Sequence, residues 1–132
     1  MRWLRSTATT AFSDDMTTIN VLIVNPDRSH EIVTLPAGRG GGVRLDALYD
    51  ALGCEWVEGI SGSGWSAYLD EEGKITGKEP NLLATEIANS FGWVGMPGDI
   101  LAGKVAFFGP VDRDGNDSPV PDWMTARLDA VA

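Results

Sequence analysis

The sequence predicts a single small α+β domain, because stretches with strand periodicity alternate with stretches with helix periodicity within 132 residues. Two pairs of strand-like stretches are each followed by a helix, and a last strand precedes a short C-terminal helix. The order ββα-ββα-β predicts one mixed or mainly antiparallel sheet with the helices on one face. The composition, 43% hydrophobic and 22% charged residues, is that of a folded globular protein.

The first predicted unit is a hairpin followed by a helix. Residues 19–24 are rich in β-branched side chains and apolar on both faces, and a turn separates them from a second strand at residues 31–35. Within residues 43–52 the apolar side chains recur with the spacing of one helical face. Gly53 then supplies the left-handed residue that commonly ends a helix.

The second predicted unit repeats this order. Residues 55–60 and 65–70 form the second hairpin, and Asn81 is the expected N-cap of the next helix. The last strand is expected within residues 100–108, and Asp122 is expected to begin the short closing helix.

The first 17 residues differ in composition from the rest of the chain. They contain Arg2 and Arg5 and are rich in Ser and Thr, and they lack the apolar segment of a secretory signal. We interpret them as a disordered tail or as sequence that precedes a natural start at Met16, with a transit peptide as the alternative. The folded domain is therefore expected to span residues 18–132.

The net charge of −9 disfavours direct binding of nucleic acid, which requires a basic surface against the phosphates. An acidic surface suits a basic protein partner instead. A single cysteine excludes an intrachain disulfide and favours a reducing cytoplasmic setting. One cysteine and one histidine exclude a Cys/His zinc site within one chain, and no metal or other cofactor is expected. No apolar run is long enough to cross a membrane.

A glycine-rich stretch at residues 38–42 lies between a predicted strand and a predicted helix, where backbone N–H groups can bind phosphate. The dinucleotide-binding pattern fails because Leu45 stands where a third glycine is needed, and no Gly-Lys-Ser/Thr follows. A flexible connector is the favoured interpretation, and a site for a small anionic ligand such as a nucleotide is the alternative. The candidate ligand-binding residues are Arg39, Gly40, Gly41, Gly42 and Arg44.

Residues 112–117 have the opening spacing of a calcium-binding EF-hand loop, with Asp112, Asp114 and Asn116 as ligands. The rest of the pattern fails, because Asp117 replaces the required glycine and Trp123 replaces the bidentate glutamate. A surface turn is the favoured interpretation.

No set of catalytic residues is predicted. His30 lies at a predicted turn, where a solvated histidine is common. Cys54 follows a helix end and is interpreted as a small buried apolar residue rather than a nucleophile. A non-enzymatic protein is favoured, and an enzyme of unrecognised type is the alternative.

Trp93 lies in a loop rich in glycine and proline, and two interpretations of it stay open. An exposed indole favours a binding surface, whereas an indole packed inward anchors the loop. Trp93, Asn81 and Asp99 are the candidate residues of an interaction surface.

Residues 68–110 carry a series of short motifs: an acidic turn ending in Gly at 70–74, Gly-x-x-Pro-Asn at 77–81, Ala-Thr at 84–85, Asp-Ile-x-x-Gly at 99–103 and an apolar strand ending in Gly at 105–109. This stretch resembles an uncharacterised domain-of-unknown-function family that is common in bacteriophage, plasmid and other mobile-element genomes of actinobacteria and firmicutes. The resemblance implies no catalytic residues, cofactor or substrate.

Together, the resemblance and the charge lead us to expect an accessory protein of a phage or mobile element that binds a host or phage protein. Counter-defence, in which carboxylates mimic DNA phosphates, is one form of this role. The alternative function is the binding of a small ligand at residues 38–42.

Overall fold

The computed structural model describes residues 17–38, 42–73, 76–93, 99–113 and 115–131. The strands are β1 (Thr17–Val24), β2 (His30–Ala37), β3 (Val57–Gly62), β4 (Trp65–Asp70) and β5 (Val105–Phe108). The helices are α1 (Leu45–Leu52), α2 (Leu82–Ser90) and α3 (Asp122–Val131). The α+β class and the predicted order of elements are confirmed. Met16 and the tail before it lie outside the described residues.

The five strands form one sheet in the order β2-β1-β5-β4-β3. Each pair of neighbouring strands in it is antiparallel, so the antiparallel alternative is the one observed. The two hairpins lie on either side of β5, which joins them by pairing with β1 and β4. As a result β2 and β3 are the two edge strands.

The sheet is covered on both faces, and the expectation that the helices share one face is wrong. Successive side chains of a strand point to opposite faces. In β1, Leu22 and Val24 pack into the cluster that contains the apolar residues of α2 and α3. Val21 and Ile23 pack into a second cluster that contains those of α1. A central strand that is apolar at consecutive positions needs a covering layer on each side.

Aromatic side chains form part of each core. On the face covered by α2 and α3, the Trp65 and Phe107 rings lie 5.6 Å apart, and Trp65 is 1% exposed. On the face covered by α1, Tyr68 meets Phe108 edge to face at 5.3 Å. Within the described residues, no helix is long and apolar enough to cross a membrane.

Candidate functional site

A groove of about 380 Å³ separates the edge strand β2 from helix α1, and we call it the β2–α1 groove. Its floor is apolar and includes Ile23, Val33 and Leu35. Its helix wall is formed by Ala47 and Ala51, which lie one turn apart on the same side of α1. Because alanine side chains are short, they leave open space between the helix and the strand.

The rim of the groove carries three carboxylates and two cations, which leaves one net negative charge. Arg44 and Asp46 contact each other twice, Nε to Oδ1 at 3.2 Å and Nη2 to Oδ2 at 3.0 Å. The side chains of Arg44 and Asp46 are 48% and 71% exposed, so water screens this pair and it adds little stability. Glu31, Asp50 and Lys104 have no ion-pair partner within the described part of the chain.

Of the predicted ligand-binding residues, three lie outside the described residues: Arg39, Gly40 and Gly41. Gly42 accepts a hydrogen bond from the Gly38 N–H at 2.8 Å, which closes the two ends of the loop. Arg44 occupies the N-cap position of α1 and lines the β2–α1 groove. An anion bound at Arg44 would compete with Asp46 for the guanidinium. The anion site stays a prediction.

The segment that follows the glycine-rich loop extends the sheet beyond β2. Ala37 and Val43 form an isolated antiparallel bridge. The Arg44 N–H donates to the Pro36 carbonyl at 3.0 Å. The outer side of β2 therefore already receives a short strand-like piece at its C-terminal end.

The described residues of the predicted surface turn, 112, 113 and 115–117, form a hydrogen-bonded turn in which the Gly115 N–H donates to the Asp112 carbonyl at 2.9 Å, and Asp117 lies against the sheet. Asp112 Oδ1 accepts the Asn116 N–H at 2.9 Å. The carboxylate of Asp117 accepts the Val43 N–H at 3.0 Å and the Tyr68 hydroxyl at 2.9 Å. Asp117 thus ties this turn to the segment that leads into α1. Among the described residues, which exclude Asp114, no group of three or more candidate metal ligands occurs.

Tyr68 is held in its neutral form. Burial, the hydrogen bond that its hydroxyl donates to Asp117 and the negative charge of that carboxylate raise the pKa of Tyr68 to about 12. This tyrosine therefore acts as a structural donor at neutral pH.

Asn81 is fully buried, so it contributes nothing to an interaction surface and that expectation is corrected. Its Oδ1 accepts the Ala84 N–H at 3.0 Å, which confirms the predicted N-cap of α2. Its Nδ2 donates to the carbonyls of Val24 at 2.9 Å and Gly103 at 2.8 Å. One side chain therefore joins the end of β1, the start of α2 and the segment before β5.

The other two candidate surface residues lie apart from the β2–α1 groove. Trp93 is partly buried and packs against the core beneath α2 and α3, so the inward orientation is the one observed. Asp99 is partly exposed and lines a small cavity of about 100 Å³ together with Glu58 and Glu71.

A second, more open groove of about 670 Å³ lies at the C-terminal end of α1 and meets the first at Lys104. Lys78 on its wall donates to the Gly53 carbonyl and pairs with Asp70, both at 2.9 Å. Burial acts to raise the pKa of Asp70, but the hydrogen bonds from Lys78 and the Glu72 N–H and the ammonium charge outweigh it and lower that pKa. The Lys78 ammonium is thus held by the fold.

The family described as a domain of unknown function, DUF3846, matches residues 17–130. The chain belongs to the DUF3846 family. The resemblance of residues 68–110 to a family of unknown function is confirmed, and the DUF3846 match extends it over nearly the whole described domain. No curated protein and no solved structure matched the chain.

The main residues of the β2–α1 groove were missed from the sequence. Ala47, Ala51, Asp50 and Lys104 carry no motif, and only the structure brings Lys104 beside α1. One signal was available, because Ala47 and Ala51 lie four residues apart in a predicted helix and mark a stripe of low side-chain volume.

Proposed function

We propose that this DUF3846 domain is a non-enzymatic binding protein that recognises another protein through the β2–α1 groove. The observation that carries the proposal is the groove itself, which combines an apolar floor with an acidic excess on its rim. Apolar surface supplies the free energy of association, and complementary charge supplies selectivity and speed of encounter.

The charge of the whole chain supports a basic partner. A net charge of −9 over 132 residues attracts basic surfaces over long range and repels phosphate backbones. At short range, the carboxylates of Glu31 and Asp50 on the groove rim also attract a basic partner.

The chemistry of the perturbed side chains agrees with a binding role. Burial and then the charge of Asp70 raise the pKa of the Cys54 thiol, which reduces the thiolate needed for nucleophilic attack. Tyr68, with a pKa of about 12, keeps its proton at neutral pH. Both groups are held in unreactive forms.

We also propose that the protein is an accessory component of a phage or mobile element and that its partner is a host or phage protein of the cytoplasm. The motifs at residues 70–74, 77–81 and 99–103 support this origin. Counter-defence is the form of the role that suits an acidic surface.

The test is capture of partners by the full tagged chain from lysates of infected and uninfected bacterial cells, followed by native mass spectrometry. Ala47→Arg fills the helix wall of the groove, and Ala126→Arg places the same residue on the exposed side of α3 as a control. We expect a protein that is retained by the wild type and Ala126→Arg and released by Ala47→Arg. Both variants should melt within a few degrees of the wild type.

Three outcomes would contradict this proposal in different ways. If no protein is retained by the wild type, the binding role is wrong. If Ala47→Arg retains the same protein, the groove is not the site. A retained mass of a few hundred daltons that disappears in Arg44→Ala would favour the alternative, a small anionic ligand.

A further inference from the structure

The direction of the main-chain groups in β2 follows from its pairing. The Asn25 N–H donates to the Ser29 carbonyl at 2.8 Å, in register with the β1–β2 ladder. In an antiparallel pair, residues alternate between those that bond the partner strand and those that face away from it. Odd-numbered residues of β2 therefore bond β1, and even-numbered residues direct their N–H and C=O groups outward.

Two observations agree with this assignment at the far end of the strand. The outward carbonyl of Pro36 accepts the Arg44 N–H, and that segment runs antiparallel to β2. Proline itself has no N–H, and Pro36 stands at a position where the N–H would point away from β1, so its absence costs the β1–β2 ladder no hydrogen bond.

The outer edge of β2 stays open over the next residues. The outward N–H and C=O groups of Ile32 and Thr34 have no hydrogen-bond partner within the described residues. Ile32 also exposes 49% of its surface. Thr34 lines the β2–α1 groove, and Ile32 lies two residues before it on the same open edge.

The side chains beside this edge define what an added strand would carry. Glu31 and Val33 face α1, and a residue paired with Val33 would point at Ala47 and Ala51, where apolar groups fit. A residue paired with Glu31 would lie among Glu31, Asp50 and Lys104, where carboxylates outnumber the cation and favour a basic group. A residue paired with Ile32 would cover its exposed surface.

The other edge of the sheet lacks this combination. By the same alternation, Val57, Gly59 and Ser61 of β3 face outward. The space beside them is about 200 Å³ and is bordered by Val111 rather than by a helix. It offers main-chain groups without a walled groove for side chains.

We propose that the partner contributes an extended segment that adds to β2 as a further antiparallel strand, with a basic residue opposite Glu31 and apolar residues opposite Ile32 and Val33. This rests on the proposed function, because it specifies how the same groove takes a protein. Main-chain hydrogen bonds to Ile32 and Thr34 give affinity, and alternate side chains in the groove give selectivity.

The probe is a library of capped, random nine-residue peptides selected on the immobilised full chain. We expect enrichment of peptides with one basic residue among alternating apolar residues. In the complex, amide hydrogen exchange should slow at Ile32 and Thr34 and stay unchanged at Val57, Gly59 and Ser61. Methylation of the selected peptide's backbone nitrogens, one at a time, should weaken binding at every second position, since only alternate residues of a strand face β2.

Matched variants separate the main chain from the side chain. Thr34→Pro removes an outward N–H and is expected to weaken peptide binding about tenfold. Thr34→Val keeps that N–H while removing the hydroxyl that bonds Asn20, and it should change binding less than about threefold. Ser61→Pro makes the same main-chain change on the β3 edge and should leave binding unchanged. If Thr34→Pro fails to fold, the binding of the methylated peptides to the wild-type chain tests the proposal in its place.

The strand-addition proposal is overturned if no peptide is enriched over blank resin, if exchange slows on β3 instead, or if methylation shows no alternation. These results leave the proposed function standing when the full chain still captures a protein that Ala47→Arg releases. Capture of no protein at all would refute the proposed function itself, whatever the peptides do.

Discussion

Replacing Asn81 is expected to be among the most damaging single changes in this fold. Asn81→Ala removes one acceptor and two donors from a fully buried site. Loss of an N-cap costs about 1 kcal/mol. Each buried carbonyl left without its donor, here those of Val24 and Gly103, costs about 1–3 kcal/mol. The free energy of unfolding should therefore fall by about 3–7 kcal/mol, a large part of the roughly 5–15 kcal/mol typical of a domain.

Asn81→Asp distinguishes the contribution of the N-cap from that of the two hydrogen bonds that the side-chain amide donates. Aspartate caps helices as well as asparagine does, so at an exposed N-cap this change is nearly neutral. Here its second oxygen would face the carbonyl oxygens of Val24 and Gly103 without a proton to share, and we expect a loss of at least about 2 kcal/mol.

Urea denaturation followed by tryptophan fluorescence and far-UV circular dichroism measures these changes. Asn89→Ala, on the exposed side of the same helix, is the control and should stay within about 0.5 kcal/mol of the wild type. If Asn81→Asp proves as stable as the wild type, Asn81 is only a cap and the argument from its two donors is refuted.

Three further predictions concern ionisable groups. In Tyr49→Phe, where Tyr68 is the one remaining tyrosine, absorbance at 295 nm should rise only near pH 12, because folding favours the neutral phenol. The contribution of the neutral Tyr68 to stability is present at neutral pH and is lost as the pH rises through its folded-state pKa of about 12. A titration midpoint near pH 10 would contradict this prediction. Because the pKa of Asp70 is lowered on folding, its ion pair with Lys78 stabilises the fold above about pH 4, and this contribution is lost at lower pH. The difference in the free energy of unfolding between the wild type and Lys78→Met should therefore shrink on acidification. A difference that stays constant would refute the pairing. Cys54 should react with iodoacetamide at pH 7.5 at least about tenfold more slowly in the folded chain than in urea, and equal rates would show an accessible, ordinary thiol.

The order of the elements was predictable because each rests on local signals. The hairpin turns, the left-handed Gly53 and the N-cap at Asn81 are readable within a few residues of sequence. The layering of the helices was predicted wrongly, although residues 19–24 are apolar on both faces. That pattern already required helices on two sides of the sheet, and the expectation of helices on one face gave it too little weight.

Long-range contacts explain what the sequence could not show. The donors of Asn81 meet carbonyls 57 and 22 residues away, so its burial followed from no local pattern. Asp117 looked like part of a surface loop or a calcium loop, yet its partners Val43 and Tyr68 lie 74 and 49 residues away. In both cases residues with short polar side chains were interpreted by their neighbours in sequence, whereas the fold uses them to join distant backbone segments.

The same attention to long-range contacts is the reason for placing the proposed site at β2. Among the described residues beside the glycine-rich loop, the Val43 N–H donates to Asp117 and Arg44 pairs with Asp46, so an anion would have to compete with these two carboxylates. At the edge strand beside α1, the outward groups of Ile32 and Thr34 are unpaired within the described residues, and Thr34 lines the groove with the apolar floor. Unpaired main-chain N–H and C=O groups on a sheet edge can pair with many different strands, and the charges of Glu31 and Asp50 restrict which strands can pair there. An edge left open between such charges favours a selected partner over self-association.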